Sequence, residues 1–322
     1  MDQAENLREL VKNKRQEGQM PMPGAGAEGP EGEEDGRDEF PSFEKSAATK
    51  VIAVASGKVG VGKSNFTVNT AIELSRMGNR VMILDADLGL ANVDILLGIN
   101  PKYNLSHVIK EEKDIKDIIT ETEYGIKVIA SGSGVKELVN LSNQQRAKFI
   151  EKISELEDMV DVLLIDTGAG ISKNTLSFMY AADYSIVITT PEPTALMDAY
   201  GLIKVVSSNK SSVPLKLIVN MVNTKEEAKE IASRVILLSR RFLNIFVEPY
   251  GFIYRDKNVL TSVMTQKPFS VLFPDTKATQ CIKDIAGRMS LRMAKDNEKA
   301  DVKEPMNMGN VFKRVFELFK QD

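Results

Sequence analysis

The sequence predicts an α/β fold, a doubly wound and mostly parallel sheet with helices on both faces. Three observations carry this. Short β-branched apolar runs recur along the chain, separated by segments with helical spacing. The first run, Val51-Ile52-Ala53-Val54-Ala55, leads into the glycine loop Gly57-Lys58-Val59-Gly60-Val61-Gly62-Lys63-Ser64. Aspartates stand directly after two later runs, at strand carboxyl ends, where open α/β sheets bind ligands.

The folded domain is predicted over 49–294. Its first unit is the strand at 51–55, the glycine loop and a helix to about Met77. Strand, loop and helix with G-x-x-x-x-G-K-[ST] form a phosphate-binding loop. Glycines let backbone N–H groups turn inward around a polyphosphate, and the helix N-terminus adds positive potential. Gly57, Gly60, Val61, Gly62, Lys63, Ser64 and Asn65 are the candidate nucleotide contacts. Lys63 would reach the β- and γ-phosphates, and the Ser64 hydroxyl would ligate Mg²⁺.

Gly78-Asn79 turns the chain into a second strand, 80–84, followed by Asp85 and Asp87. Phosphoryl transfer needs a metal and an oriented water, so two neighbouring carboxylates are expected there. Further strands are predicted at 126–130, 160–165, 184–189, 215–220 and 246–253. Asp166 follows the fourth strand and Asn220 ends the sixth. Helical patterns fill 145–159, 172–182, 194–208, 225–243, 256–266 and 276–293.

Composition narrows the function. The net charge of −3 gives no global attraction to nucleic acid or to anionic membrane. The single cysteine, Cys281, leaves no internal disulfide and speaks for a cytosolic setting. The single histidine, His107, leaves no histidine-based zinc or catalytic site. The polar N-terminus does not read as a signal peptide. No apolar run approaches a membrane span.

The ends of the chain differ from its middle. Within residues 1–17, Ala4, Leu7 and Val11 share a helical face and Asp2 can cap the start. Such a helix is marginal alone, so it needs a partner to dock on, or it frays. Residues 18–48 are rich in Gly, Pro and acidic residues and read as a disordered linker. Residues 295–308 are a second polar linker. In 309–322, Val311, Phe312, Val315, Phe316, Leu318 and Phe319 share one apolar arc opposite Lys313, Arg314, Glu317 and Lys320. That pattern fits an in-plane membrane helix. A helix docked on its own domain is the alternative, and the polar linker favours a detachable element.

The loop GKVGVGKS resembles the deviant Walker A loop of the MinD/ParA family of ATPases, and the resemblance covers 49–293. It implies ATP and Mg²⁺ as ligands and a homodimer formed with ATP, in which Lys58 crosses the interface to the partner's nucleotide. Asp85 to Asp94 is similar to the family's switch I, D-x-D-x-G-L-x-N-x-D. By that likeness Asp87 orients the attacking water, Asp85 supports the metal's hydration shell and Asn92 completes the site. Asp166 is similar to a Walker B aspartate, and Gly170 would offer its N–H to the γ-phosphate. Asn220 would read the adenine edge, with Gly251 to Asp256 as the following pocket loop. Gly168 stands where the family often has proline.

Within that family the chain resembles the FlhG branch, MinD-type regulators of flagellar number and placement. Asp2, Gln3, Ala4, Leu7 and Arg8 are similar to the branch's DQAxxLR motif, which stimulates the GTPase FlhF. Thr190 to Tyr200 also looks like the branch's version of that region. The resemblance implies a cytoplasmic protein, peripheral on the cell membrane through its last helix. Flagellar rotor (C-ring) proteins or a flagellar transcription activator are the further partners it implies. A division-site regulator and a ParA-like DNA-segregating ATPase are the competing readings. DNA would need basic surface. The one candidate cluster, Lys225, Lys229, Arg234, Arg240 and Arg241, is diluted by Glu226, Glu227 and Glu230.

Overall fold

A computed structural model describes residues 49–87, 92–208, 213–298 and 308–319. The N-terminal motif residues Asp2, Gln3, Ala4, Leu7 and Arg8, the acidic linker, and 88–91 of switch I lie outside the described residues.

The chain begins with β1 (Lys50–Ser56), α1 (Lys63–Arg76), β2 (Val81–Ala86), α2 (Val93–Leu97) and α3 (Leu105–Ile109). It continues with β3 (Ile119–Glu121), β4 (Lys127–Ala130), α4 (Gly134–Val139), α5 (Asn143–Ser154), β5 (Val162–Ala169) and α6 (Lys173–Ala181). Then follow β6 (Tyr184–Thr189), α7 (Pro193–Ser208), β7 (Leu215–Val222), α8 (Lys225–Leu238) and β8 (Val247–Tyr254). The described chain closes with α9 (Lys257–Met264), α10 (Phe269–Leu272), α11 (Lys277–Glu298) and α12 (Met308–Phe319).

The strands form a single sheet in the order β3-β4-β2-β5-β1-β6-β7-β8. β3 pairs antiparallel with β4, and the other pairings are parallel. The predicted doubly wound fold is therefore present. The three-residue β3 was not expected, because so short and half-exposed a run carries no periodicity.

Side-chain alternation along β1 splits the core in two. Val51, Ala53 and Ala55 face one apolar layer, shared with α6 and α7. Ile52 and Val54 face the other, shared with α1 and α11. The phosphate loop leaves β1 at the centre of the sheet, so its position is fixed from both layers.

Two boundaries differ instructively from the pattern in the sequence. β5 does not stop at Asp166 but runs on to Ala169. Thr167 Oγ1 donates to the Val54 carbonyl at 3.0 Å and Ala169 pairs with Ser56, which holds the extra residues in the sheet. The helix predicted over 225–243 is α-helical only to Leu238. A π-helical turn, Ser239–Leu243, follows, and Asn244 at φ 52° stops it.

The C-terminal helix corrects an expectation. Its apolar face is not turned outward. Val311, Phe312, Val315, Phe316 and Phe319 are all buried against the domain. The Phe312 ring meets Phe149 of α5 at 5.4 Å and Phe178 of α6 at 6.2 Å, while Phe316 meets Phe149 at 5.9 Å. The Arg146 guanidinium lies 5.6 Å over the Phe316 ring. Each end is tied as well. Gly309 N donates to Glu157 Oε1 at 3.1 Å, and Lys173 Nζ donates to the Phe319 carbonyl at 3.3 Å. The physical reason is the size of the face. Five buried apolar side chains are worth on the order of 10 kcal/mol, as an upper estimate.

Candidate functional site

The glycine loop is shaped by neighbours far away in sequence. A Cβ on Gly57 would lie 2.3 Å from the backbone of Asp198 in α7, so only glycine lets these segments approach. Gly62 sits at φ 90°, and a Cβ there would lie 2.3 Å from the Asn220 amide nitrogen. α1 starts directly after it, so the loop opens onto a helix N-terminus, which suits a polyphosphate.

Asp166, fully buried, is the polar centre of the site. Its Oδ1 accepts from Lys63 Nζ at 3.0 Å and from Thr67 Oγ1 at 3.1 Å. Its Oδ2 accepts from Ser64 Oγ at 2.6 Å. Lys63 Nζ is also 3.9 Å from Asp87 Oδ2. The predicted Lys63, Ser64, Asp87 and Asp166 thus converge, although they come from three strands. The atoms here that could hold a metal, Ser64 Oγ and the Asp166 carboxylate, are oxygens, as Mg²⁺ requires. Among the described residues no three acidic, histidine or cysteine side chains gather as a metal cage. Mg²⁺ binds through one or two carboxylates plus substrate phosphates and water.

A cleft of about 650 Å³ opens beside this centre. Lys58, Lys63, Ser64, Asn65, Asp87 and Asn92 line it, and Ile95, Leu96 and Val263 give it an apolar side. Lys58 points across the surface to α7, with Nζ 2.5 Å from Glu192 Oε1 and 2.7 Å from Thr194 Oγ1. The Lys58 hydrogen bond, with Thr194 behind it, holds the Glu192 carboxyl below the usual carboxylate range. Glu192 and Thr194 lie in the stretch singled out in the sequence, but nothing there showed that they receive Lys58.

Three assigned roles change. Asp85 is buried and does not line the cleft. Its two oxygens accept from Asp87 N at 3.1 Å and Val93 N at 3.3 Å, so it holds the two ends of switch I. Burial, reinforced by the nearby Asp166 charge, pushes Asp85 up to about 7. Gly170 does not present its N–H to the cleft, because that group donates to the Ser56 carbonyl at 2.8 Å. The extension of β5 beside β1 imposes this. Asn220 makes its hydrogen bonds within the protein. Its amide donates to the Val61 carbonyl at 2.8 Å, and its Oδ1 accepts from Met221 N. Asn220 is therefore a clamp on the glycine loop. Gly251 likewise serves packing, since a Cβ there would lie 2.9 Å from Ile285.

Sequence reasoning missed Thr67 and Met221. Thr67 stands one helical turn beyond Lys63, a spacing that could have pointed to it. Met221 lines the cleft at φ 60°, and no residue-type signal marks a methionine in that conformation.

Comparisons with known proteins identify the family. The ParA family model, described as NUBPL iron-transfer P-loop NTPase, matches residues 47–289. The chain belongs to the ParA/MinD family of P-loop NTPases. It is 37% identical over 240 residues to the antiactivator FleN of Pseudomonas aeruginosa, covering 74% of this chain and 86% of that protein. It is 35% identical over 247 residues to the flagellum site-determining protein YlxH of Helicobacter pylori, covering 76% and 83%. Among solved structures, MinD of Pyrococcus horikoshii complexed with Mg-ADP superposes with a TM-score of 0.62 at 24% identity, covering 77% of this chain and 98% of that one. MinD of Aquifex aeolicus gives 0.60 at 24%, covering 75% and 97%. The Ser64 and Asp166 oxygens, 2.6 Å apart, are of the type that binds Mg²⁺.

Proposed function

We propose that the chain is an ATP-hydrolysing switch of MinD type that regulates flagellar number and placement. The observation that supports it most is the meeting of Lys63, Ser64, Asp87 and Asp166 at one cleft, with a second loop lysine, Lys58, at its rim. YlxH, similar over 76% of this chain, supports the flagellar setting by its name, and FleN, similar over 74%, supports a regulatory role by the name antiactivator.

Mg²⁺ held by Ser64 and Asp166 would neutralise charge on the β- and γ-phosphate oxygens. Lys63 leaves Asp166 for the phosphates. Asp87 accepts a hydrogen bond from the attacking water and aims it at the γ-phosphorus. Lys58 leaves Glu192 and reaches the nucleotide of a second copy, which makes dimerisation part of catalysis. Residues 1–17 stimulate the GTPase FlhF, and rotor proteins or a transcription activator receive the dimer. The described structure adds one condition to the membrane reading. α12 must leave α5 and α6 before its phenylalanines can enter lipid, so anchoring through that helix requires its release.

The test is ATP turnover and ATP-dependent size of wild type and Lys58→Ala, with and without lipid and FlhF. Wild type is expected to dimerise with ATP and the variant to stay monomeric with little turnover. A variant that dimerises and turns over normally would remove the role given to Lys58, and with it the dimer switch. A salt-dependent shift of DNA by wild type would favour the DNA-segregating reading instead.

A further inference from the structure

The loop between β5 and α6 carries a hydrogen-bonded tether at the side of the nucleotide cleft. Gly168, Ala169, Ser172, Asn174 and Thr175 line the cleft together. A Cβ on Gly168 would lie 3.6 Å from Asp87 Oδ1, at ordinary contact distance. The backbone at 168 is therefore a wall beside that carboxylate. A glycine wall has little stiffness of its own, so its place must be set by what bonds to it.

Thr175 sets it. This residue is 1% exposed, and its Oγ1 donates to the Gly168 carbonyl at 3.1 Å. Thr167 Oγ1 is also 3.1 Å from this carbonyl, but its single proton is shared with the Val54 carbonyl at 3.0 Å. Ser172 Oγ lies 2.9 Å from Thr175 Oγ1. The Thr175 proton is engaged by Gly168, so Ser172 is the donor between the two hydroxyls. Ser172 Oγ in turn accepts from Thr175 N at 3.2 Å. The roles of both hydroxyls are thereby fixed, and a chain of such bonds strengthens its members. Gly170 N donates to the Ser56 carbonyl at 2.8 Å. The loop is thus pinned to β1 at its middle and to Thr175 at both ends.

The residue type supports a purpose beyond capping. Ser172 is the N-cap of α6, and Thr175 is the third residue of that helix. A glutamate or glutamine there would reach back to the N-cap N–H and close a capping box. Thr175 instead reaches past the cap to a strand carbonyl seven positions away. Threonine costs helix propensity, and a buried hydroxyl costs desolvation. Valine would fill the same space without the second cost, so the hydroxyl is there for the bond to Gly168.

We propose that Thr175 is a positioning residue for ATP hydrolysis, which holds the Gly168 wall where a single attacking water fits against Asp87. Thr175 has this role only if the chain hydrolyses ATP as proposed, with Asp87 aiming the water. It acts through Gly168 and is not itself a catalytic residue. A displaced wall leaves the water loosely placed, and loose placement of a reacting atom lowers the rate more than the affinity.

The test is Mg-ATP turnover and nucleotide affinity of the full chain with Thr175→Val, Thr175→Ser and Ser172→Ala, and of Asp87→Ala with and without Thr175→Val. Valine keeps the shape, and Gly168 keeps Thr167 as a donor, so no carbonyl is left bare. Thr175→Val is expected to lower kcat by about tenfold to a hundredfold with ATP and ADP affinity unchanged. Thr175→Ser should restore most of it. In the Asp87→Ala background Thr175→Val should cost nothing more, because the water it positions is already lost. Ser172→Ala reads the tether from an exposed position: lowered kcat at unchanged affinity keeps the proposal, and wild-type kcat overturns it. A lower melting temperature of Thr175→Val with wild-type kcat overturns it and leaves Thr175 as a packing residue. A full further loss in the Asp87→Ala background overturns it as well. Wild type without turnover would overturn the ATPase reading and this role together, whereas active wild type beside an equally active Thr175→Val overturns this role alone.

Discussion

The phosphate loop and the C-terminal helix are both recognisable motifs, yet they teach opposite lessons. In the loop, the residues that define the motif also make its structure. Lys63 and Ser64 bond to Asp166, and Gly57 and Gly62 stand where other backbone and side chains come too close for a Cβ. In the helix, the motif defines a face but not what covers it. Phe312 and Phe316 suit lipid by their spacing, and they suit Phe149 and Phe178 equally well. Polar sites specify partners by direction and charge, whereas apolar burial has no direction.

The largest expected effect would break that comparison on the helix side. Phe312→Ala should lower stability by about 3–5 kcal/mol in urea unfolding, as for a core phenylalanine. An unchanged midpoint would mean that the groove on α5 and α6 is empty in solution. On the loop side, Asp87→Ala should keep nucleotide binding and lower turnover by a hundredfold or more, about 3 kcal/mol. Wild-type turnover would take the water-orienting role from Asp87.

Asn220→Ala sharpens the comparison by separating a clamp from a base reader. The clamp role predicts a loss of about 1–3 kcal/mol without nucleotide, because the buried Val61 carbonyl loses its donor. It also predicts an unchanged preference for adenine over guanine. Unchanged thermal stability with a lost base preference would reverse the assignment. The smallest effect is expected from Glu192→Gln. The pair with Lys58 is exposed, so breaking it should raise the ATP-dependent dimer fraction only modestly in light scattering. A lower dimer fraction would mean that Glu192 acts across the interface.

The strands, the glycine loop and Asp87 and Asp166 were legible because each signal is local. Apolar runs mark strands, and a loop between strand and helix has few chemical uses. The contacts of Asn220 and Gly170 were not legible, for the opposite reason. Asn220 bonds to Val61, 159 positions away, and Gly170 bonds to Ser56 through the extension of β5. Nothing within a few residues of either one encodes those partners.

The contact between Lys58 and Glu192 bears on reversibility. A bare lysine meeting a triphosphate would gain a full new attraction, and the assembled pair would be hard to separate. Lys58 already has a carboxylate oxygen 2.5 Å away before any second copy arrives. The proposed assembly would therefore trade one counter-charge for another, and its gain would be the difference between two attractions. Loss of the terminal phosphate can then tip the balance back. In the proposed switch a pre-paired lysine would make assembly resettable, because its resting contact with Glu192 stands ready to take the charge again.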